Sequence, residues 1–339
     1  MGDKNPFSIY DFLGYLFPGI VAIFVVFIWR QSILVPDCDF FDCLHVRKIY
    51  QLLQQELSLN WLQASVLVVV AAYIVGHLVA YASSLTIEFL NIKAIGYPSE
   101  YLLKEEGGED SLWNRYWLLH VDEIPCIGDS KNKKGTKESR WKALIKAIKN
   151  NPWTYPRRIV VCFLFFPITS VLFCLGKLFN LKEFLRAGLP KYMQDAVMVK
   201  ADDLFPKLGL GSKDISKEDD FHRVVMHYVY LNIENAQRKA DNYVALYGFL
   251  RSICFIATLF YDLIIVYALG SLKNFMEFNA DGFIWAILIV GFLVCNLLFF
   301  EYVKFYRRFT LENFMALVTE KKSNVEDTSS KSSTVTQTL

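Results

Sequence analysis

Residues 159–176 read IVVCFLFFPITSVLFCLG, an apolar run closed by Arg157 and Arg158 on one side and Lys177 on the other. Its length matches that of a membrane span, about 18 residues or more. Whether it crosses decides the side on which every other segment lies. Over the 339-residue chain, 54% hydrophobic residues stand beside 21% charged ones, so the charge has to be segregated. Four further apolar runs, 12–29, 61–85, 252–270 and 283–303, alternate with two charged segments and a polar tail. The first run is read as a retained span, because Trp29-Arg30-Gln31 stands where a signal peptide would carry small residues.

Lys and Arg collect on the cytoplasmic side of spans. If 159–176 crosses, giving five spans, the two sides hold twenty and fifteen basic residues, a weak bias whichever way the chain is turned. If the run enters and leaves by one face, thirty-one basic residues fall inside against four outside, with Arg251 at a boundary left uncounted in both arrangements. Arg157, Arg158, Lys177, Lys182 and Arg186 crowd both ends of the run, as a returning segment requires. Pro167 in its middle lacks an N–H and clashes with the preceding turn, which leaves carbonyls that only protein or water can satisfy.

The expected fold is therefore an all-α membrane protein with four transmembrane helices, a re-entrant or in-plane hydrophobic element at 159–176, and a mainly helical cytoplasmic domain. Its parts are a first transmembrane pair over 1–85 with an external loop at 31–60, cytoplasmic segments at 86–158 and 177–251, and a second transmembrane pair at 252–303. A cytoplasmic tail over 304–339, disordered from about 320, completes the chain. Both termini are expected in the cytoplasm.

The chain opens NPFSIYDFLGYLFPGI, in which Ser8 and Asp11 have capping-box spacing, so a helix starts near Ile9, and Pro18-Gly19 bends it. Tyr10-Asp11-Phe12-Leu13-Gly14-Tyr15 followed by Pro18-Gly19 resembles the openings of uncharacterised bacterial multi-pass inner-membrane proteins. The resemblance implies a bacterial inner membrane and carries no activity with it.

Cys38 and Cys43 are the two cysteines expected outside, where a disulfide is the natural reading. Asp37, Asp39, Asp42 and His45 lie around them, but one C-x4-C without a second pair does not define a metal site, and no metal or other cofactor is expected. In the second span Ala72, Gly76, Ala80 and Ser84 form a stripe of small residues at every fourth position, a surface for close helix packing against this chain or a copy of it. Trp141, Leu144, Ile145 and Ile148 face away from Lys142, Lys146 and Lys149, a pattern suited to the anionic inner leaflet or to an ordinary amphipathic helix on a soluble core. From Asp219 to Gly270 no proline interrupts the pattern, which suggests one helix of roughly 78 Å at about 1.5 Å per residue.

His77, Asp262 and Asn296 lie on three spans at similar depth and are expected to form an intramembrane polar cluster. It serves either as an ion or proton path or as interhelical glue. Arg251 and Glu301 are an expected pair across the last two spans. GLGSK at 209–213 lacks the phosphate-loop spacing, His222 and His227 lack the i, i+4 spacing of a zinc site, and no nucleophile set is visible. The reading that follows is not an enzyme but a homo-oligomeric channel or membrane effector gated through its cytoplasmic domain. A non-catalytic scaffold or anchor for a soluble partner is the alternative. Partners expected are the lipid bilayer, further copies of the chain, and a soluble cytoplasmic protein or small-molecule ligand; the net charge of +2 does not suggest nucleic acid.

Overall fold

The computed structural model describes residues 11–34, 61–103, 112, 116–117, 154–176, 181–209, 221–271 and 282–320. Among these residues the chain is helical, with no strand. A π turn at Phe12–Leu16 leads into α1 (Phe17–Leu34). Helix α2 (Trp61–Ser83) passes through a π turn at Ser84–Glu88 into α3 (Phe89–Ala94), and α4 (Pro98–Leu103) follows. The run at the centre of the sequence forms α5 (Thr154–Leu164), α6 (Phe166–Ser170) and a π turn at Val171–Leu175. Then come α7 (Leu181–Leu185), α8 (Lys191–Lys207), α9 (Phe221–Asn232), α10 (Glu234–Ser271) and α11 (Gly282–Thr319).

Four of these helical stretches are long and apolar enough to cross a membrane: Phe12–Trp29, Leu62–Leu103, Ala236–Val266 and Trp285–Thr319. This is the make-up of an integral membrane protein. The bent pair Tyr155–Leu164 and Phe166–Cys174 turns through 95° and would make a fifth only if counted as one span. The break sits where Pro167 removes a donor. Two carbonyls at the bend take side-chain donors: Thr169 Oγ1 donates to Cys162 O at 2.9 Å, and Asn296 Nδ2 donates to Pro167 O at 3.1 Å.

The chain divides into two compact units. The first comprises Met1–Leu189 and Asp241–Phe309, the second Pro190–Ala240 and Thr310–Leu339. In the first unit α1 and α2 cross at bare backbone: a Cβ on Gly19 would overlap the carbonyl oxygen of Ala72, and one on Gly76 would overlap that of Tyr15. The small-residue stripe is thus used within the chain at Ala72 and Gly76, both buried, while Ala80 and Ser84 are half-buried. Ala22, Val79 and Ile256 then close a core among α1, α2 and α10. At the bend, Phe165 packs against Phe255 of α10 with ring centroids 6.0 Å apart.

In the second unit Val197, Ala201, Leu204 and Phe205 of α8 and Phe221, Val225 and Val229 of α9 are buried, as are Phe314 and Leu317 of α11. Phe221 stacks on Phe205 at 5.7 Å and meets Phe314 at 6.2 Å. Tyr228 OH donates to Glu320 Oε1 at 2.6 Å, a bond that together with burial raises the phenol to about 12. His222 is edge-on to Phe314 at 5.6 Å, and burial lowers its imidazole to about 4. The folded state therefore holds a neutral His222. Its contribution is complete above the ordinary histidine value near 6.5 and is lost as pH falls from there toward 4. At pH 5 this unit should lose about 2 kcal/mol, read as faster hydrogen exchange in α9, and His222→Gln should remove most of that pH dependence.

Three expectations about extent are corrected. The second span does not end at residue 85, because the π turn carries the helix through Glu88 to Ala94. The expected helix over 219–270 is two helices: Ile233 separates α9 from α10, and Asn232 Nδ2 donates to Tyr228 O at 2.8 Å, a side chain competing for a helical carbonyl. Residues 304–319 continue α11 and bury Phe309, Phe314 and Leu317, so the polar tail does not start at residue 304.

Candidate functional site

The polar groups of the first unit concentrate around the π turn of α2 and along α10. A π turn widens the helix by one residue per turn, so its carbonyls lose regular donors, and such turns recur at functional sites. Here hydroxyls and arginines replace those donors. Ser83 Oγ donates to Ala80 O at 2.9 Å, Ser84 Oγ to Tyr81 O at 2.8 Å, and Thr86 Oγ1 to Ala82 O at 2.7 Å. Arg157 of α5 donates through Nη2 to Leu85 O at 2.7 Å and lies 4.2 Å over the Phe89 ring. Arg251 of α10 pairs with Glu88 and reaches Ala80 O at 3.5 Å. Two arginines from two other helices thus hold the same turn.

The expected pair of Arg251 with Glu301 is not formed. Glu301 binds Lys304 at 2.8 Å on the exposed side of α11, and Arg251 takes Glu88. The physical reason is the longer second helix: once α2 continues past residue 85, a carboxylate stands opposite Arg251 at less cost than Glu301 turned inward. The Arg251 and Glu88 side chains are only 15% and 28% exposed. Tyr302 is fully buried beside them, within electrostatic reach of both, and stacks on Tyr306 at 6.0 Å with the ring planes 8° apart.

From this pair a lane of polar side chains climbs α10. Arg251, Cys254, Thr258 and Asp262 follow one another at steps of three and four residues, which places them on one helical face. Thr258 Oγ1 donates to Cys254 O at 2.8 Å, and the Cys254 thiol lies 3.9 Å from the carbonyl oxygen of Cys295 on α11. Cys295 is within electrostatic reach of both Cys254 and Asp262. Asp262 ends the lane. Its Oδ2 is buried without a hydrogen-bond partner, and among the described residues it makes no ion pair.

The other two members of the expected cluster have separate surroundings. His77 is exposed and stacks on Tyr15 at 3.9 Å, with Tyr73 edge-on at 4.6 Å. Asn296 is buried and binds Pro167 O together with Phe292 O, at 2.8 Å for the latter. Among the described residues no hydrogen bond or ion pair joins His77, Asp262 and Asn296. Similar depth in a bilayer does not fix the direction in which a residue points around its helix. Sequence reasoning missed Glu88, Cys254 and Thr258; the spacing from Arg251 to Asp262 was the available signal, masked because Cys and Thr sit without cost in an apolar helix. Cys38 and Cys43, and the inner-leaflet candidates Trp141, Lys142, Lys146 and Lys149, lie outside the described residues. No group of three or more His, Cys, Asp or Glu side chains suited to a metal occurs among the described residues. No family model matches the chain, and neither a curated protein nor a solved structure is similar to it.

Proposed function

We propose that this chain is a homo-oligomeric membrane channel or effector, gated through a cytoplasmic part that takes a soluble protein or a small-molecule ligand, in a bacterial inner membrane. Asp262 carries the reading. A carboxyl at membrane depth is costly and is retained for pairing, for structure or for an ion path. Interhelical glue needs an acceptor or donor within the chain, and Asp262 Oδ2 is buried without a hydrogen-bond partner, with no ion pair to the residue among the described residues. The partner proposed for it is water, an ion or a second copy of the chain, which an oligomeric path supplies. Helix α10 runs unbroken from Glu234 to Ser271 and carries Asp262, so a change sensed near its start has a continuous element to follow. The bent pair at 159–176 is read as re-entrant, with both termini cytoplasmic; the 95° turn and the basic residues at both of its ends support this.

The alternative, a scaffold or anchor for a soluble partner, draws on the separate second unit, whose α9 exposes Leu231. Flux of ions or dye from sealed vesicles separates the two readings. A channel predicts release by wild type and at least about a tenfold loss in Asp262→Asn, the factor that 1.4 kcal/mol on the path represents. Vesicles that stay tight with folded wild-type protein under every condition leave the scaffold.

A further inference from the structure

Near the start of α5 lies a buried positive charge that no carboxylate neutralises among the described residues. Arg158 is 0% exposed. Its Nη1 donates to Trp117 O at 3.0 Å, its own carbonyl accepts from Tyr116 OH at 2.8 Å, and its guanidinium lies 5.4 Å over the Tyr155 ring. Its Nε and Nη2, and the hydroxyl of Tyr155, are buried with no hydrogen-bond partner. Among the described residues neither Arg158 nor Arg157 is paired with a carboxylate. A buried guanidinium without an anion is strongly unfavourable, and a cluster of orphaned donors asks for an acceptor beyond those that the described residues supply. Arg157, one residue earlier, is exposed and spends one of its five N–H donors on Leu85 O. The N-terminal peptide groups of this 11-residue helix add partial positive charge to the same place.

What lies beyond Arg157 along α5 identifies the anion. Val160 and Phe163 follow on α5 as neighbouring exposed residues, and Phe163 is 85% exposed. Basic donors at one end of an open apolar strip match an amphiphile with an anionic head. We propose that an anionic phospholipid seats its phosphate at Arg157 and Arg158, with an acyl chain along the exposed Val160 and Phe163. Arg157 takes the phosphate first; Arg158 turns past Tyr155 so that Nε and Nη2 grip two of its oxygens, the bidentate geometry that guanidinium favours. Arg158 has no anion among the described residues, and the lipid phosphate supplies one. The site does not depend on ion conduction, since a scaffold would carry it equally.

The test uses full-length protein in neutral detergent, titrated with dioleoyl-phosphatidylglycerol, dioleoyl-phosphatidylcholine or inorganic phosphate while the thermal midpoint is followed. The wild-type midpoint is expected to rise with phosphatidylglycerol alone. Arg157→Gln and Arg158→Gln should each raise the half-saturating lipid concentration about fivefold, while Arg308→Gln, which removes an exposed charge elsewhere, should leave it unchanged. If Arg158→Gln fails to fold, Arg157→Gln and Arg158→Lys carry the test with the same expected direction. Equal response to phosphatidylcholine, unchanged saturation in the Arg157 and Arg158 variants, or an equal loss in Arg308→Gln overturns the proposal. A response to inorganic phosphate matching that to phosphatidylglycerol assigns a small-anion site instead and overturns the lipid.

Discussion

Gly76→Leu is expected to separate the first two helices and to destabilise the protein by on the order of 3 kcal/mol or more. The reason is geometric. At Gly76 the next atoms are the backbone of Tyr15, and at Gly19 they are the backbone of Ala72 and Gly76. Backbone cannot rotate aside as a side chain does, so a larger residue moves a whole helix and opens the packing at Ala22, Val79 and Ile256. In a bilayer, where apolar surface gains little from leaving lipid, close packing is a main force holding helices together, and its loss is not made up elsewhere. Gly19→Leu should behave the same way. Gly248→Ala is the control: a Cβ there meets nothing within 4 Å, so a mid-helix glycine is replaced at a gain of up to about 1 kcal/mol. Unfolding in mild detergent, with all three variants compared with wild type, reads both signs. A Gly76→Leu protein as stable as wild type would mean that the two helices do not cross at these residues.

The second large effect is expected at the pair of Glu88 and Arg251. Glu88→Ala leaves a guanidinium that is 15% exposed facing buried Tyr302 with no carboxylate, and the loss is expected at about 2 to 3 kcal/mol, below the full cost of a wholly buried pair because both side chains keep some water. Arg251→Ala should cost a similar amount and also free Ala80 O. Glu301→Ala, by contrast, removes only an exposed contact with Lys304 and should change stability by less than about 0.5 kcal/mol. The exchange Glu88→Arg with Arg251→Glu should recover part of the loss, since coupled neighbours show interaction energies of about 0.5 to 3 kcal/mol. Additive losses in the double variant would show that the two residues act separately.

The number and order of the apolar helices were legible in the residues, because hydrophobic runs and charge segregation report directly on the bilayer. The break at Pro167 was legible for the same kind of reason: a missing N–H is a local fact. The partners of polar residues were not. Glu88 was hidden by a span that looked finished at residue 85, and a π turn leaves no composition signature that would announce its continuation. Asn296 read as a member of a cluster at common depth, whereas it binds the carbonyl of Pro167 more than a hundred residues away in sequence. His77 met tyrosines of its own helix pair. Packing direction around a helix is decided by neighbours, and at bare-backbone crossings such as Gly19 on Gly76 by single atoms. The stripe of small residues did signal a crossing, but only the position of Gly19 opposite it names the partner. Ile233 divided an expected rod with neither glycine nor proline to mark it.

The account depends most on the run at 159–176 turning back at its proline, so that the basic regions before and after it share one aqueous side. Single cysteines introduced as Lys146→Cys and Lys213→Cys in a background without native thiols, probed in sealed vesicles with a membrane-impermeant maleimide, test this directly. Both positions are expected to react from the same side, the one that also labels a cysteine near the N-terminus. Reaction of Lys146→Cys from one side and Lys213→Cys from the other would make the run a fifth span and contradict the account.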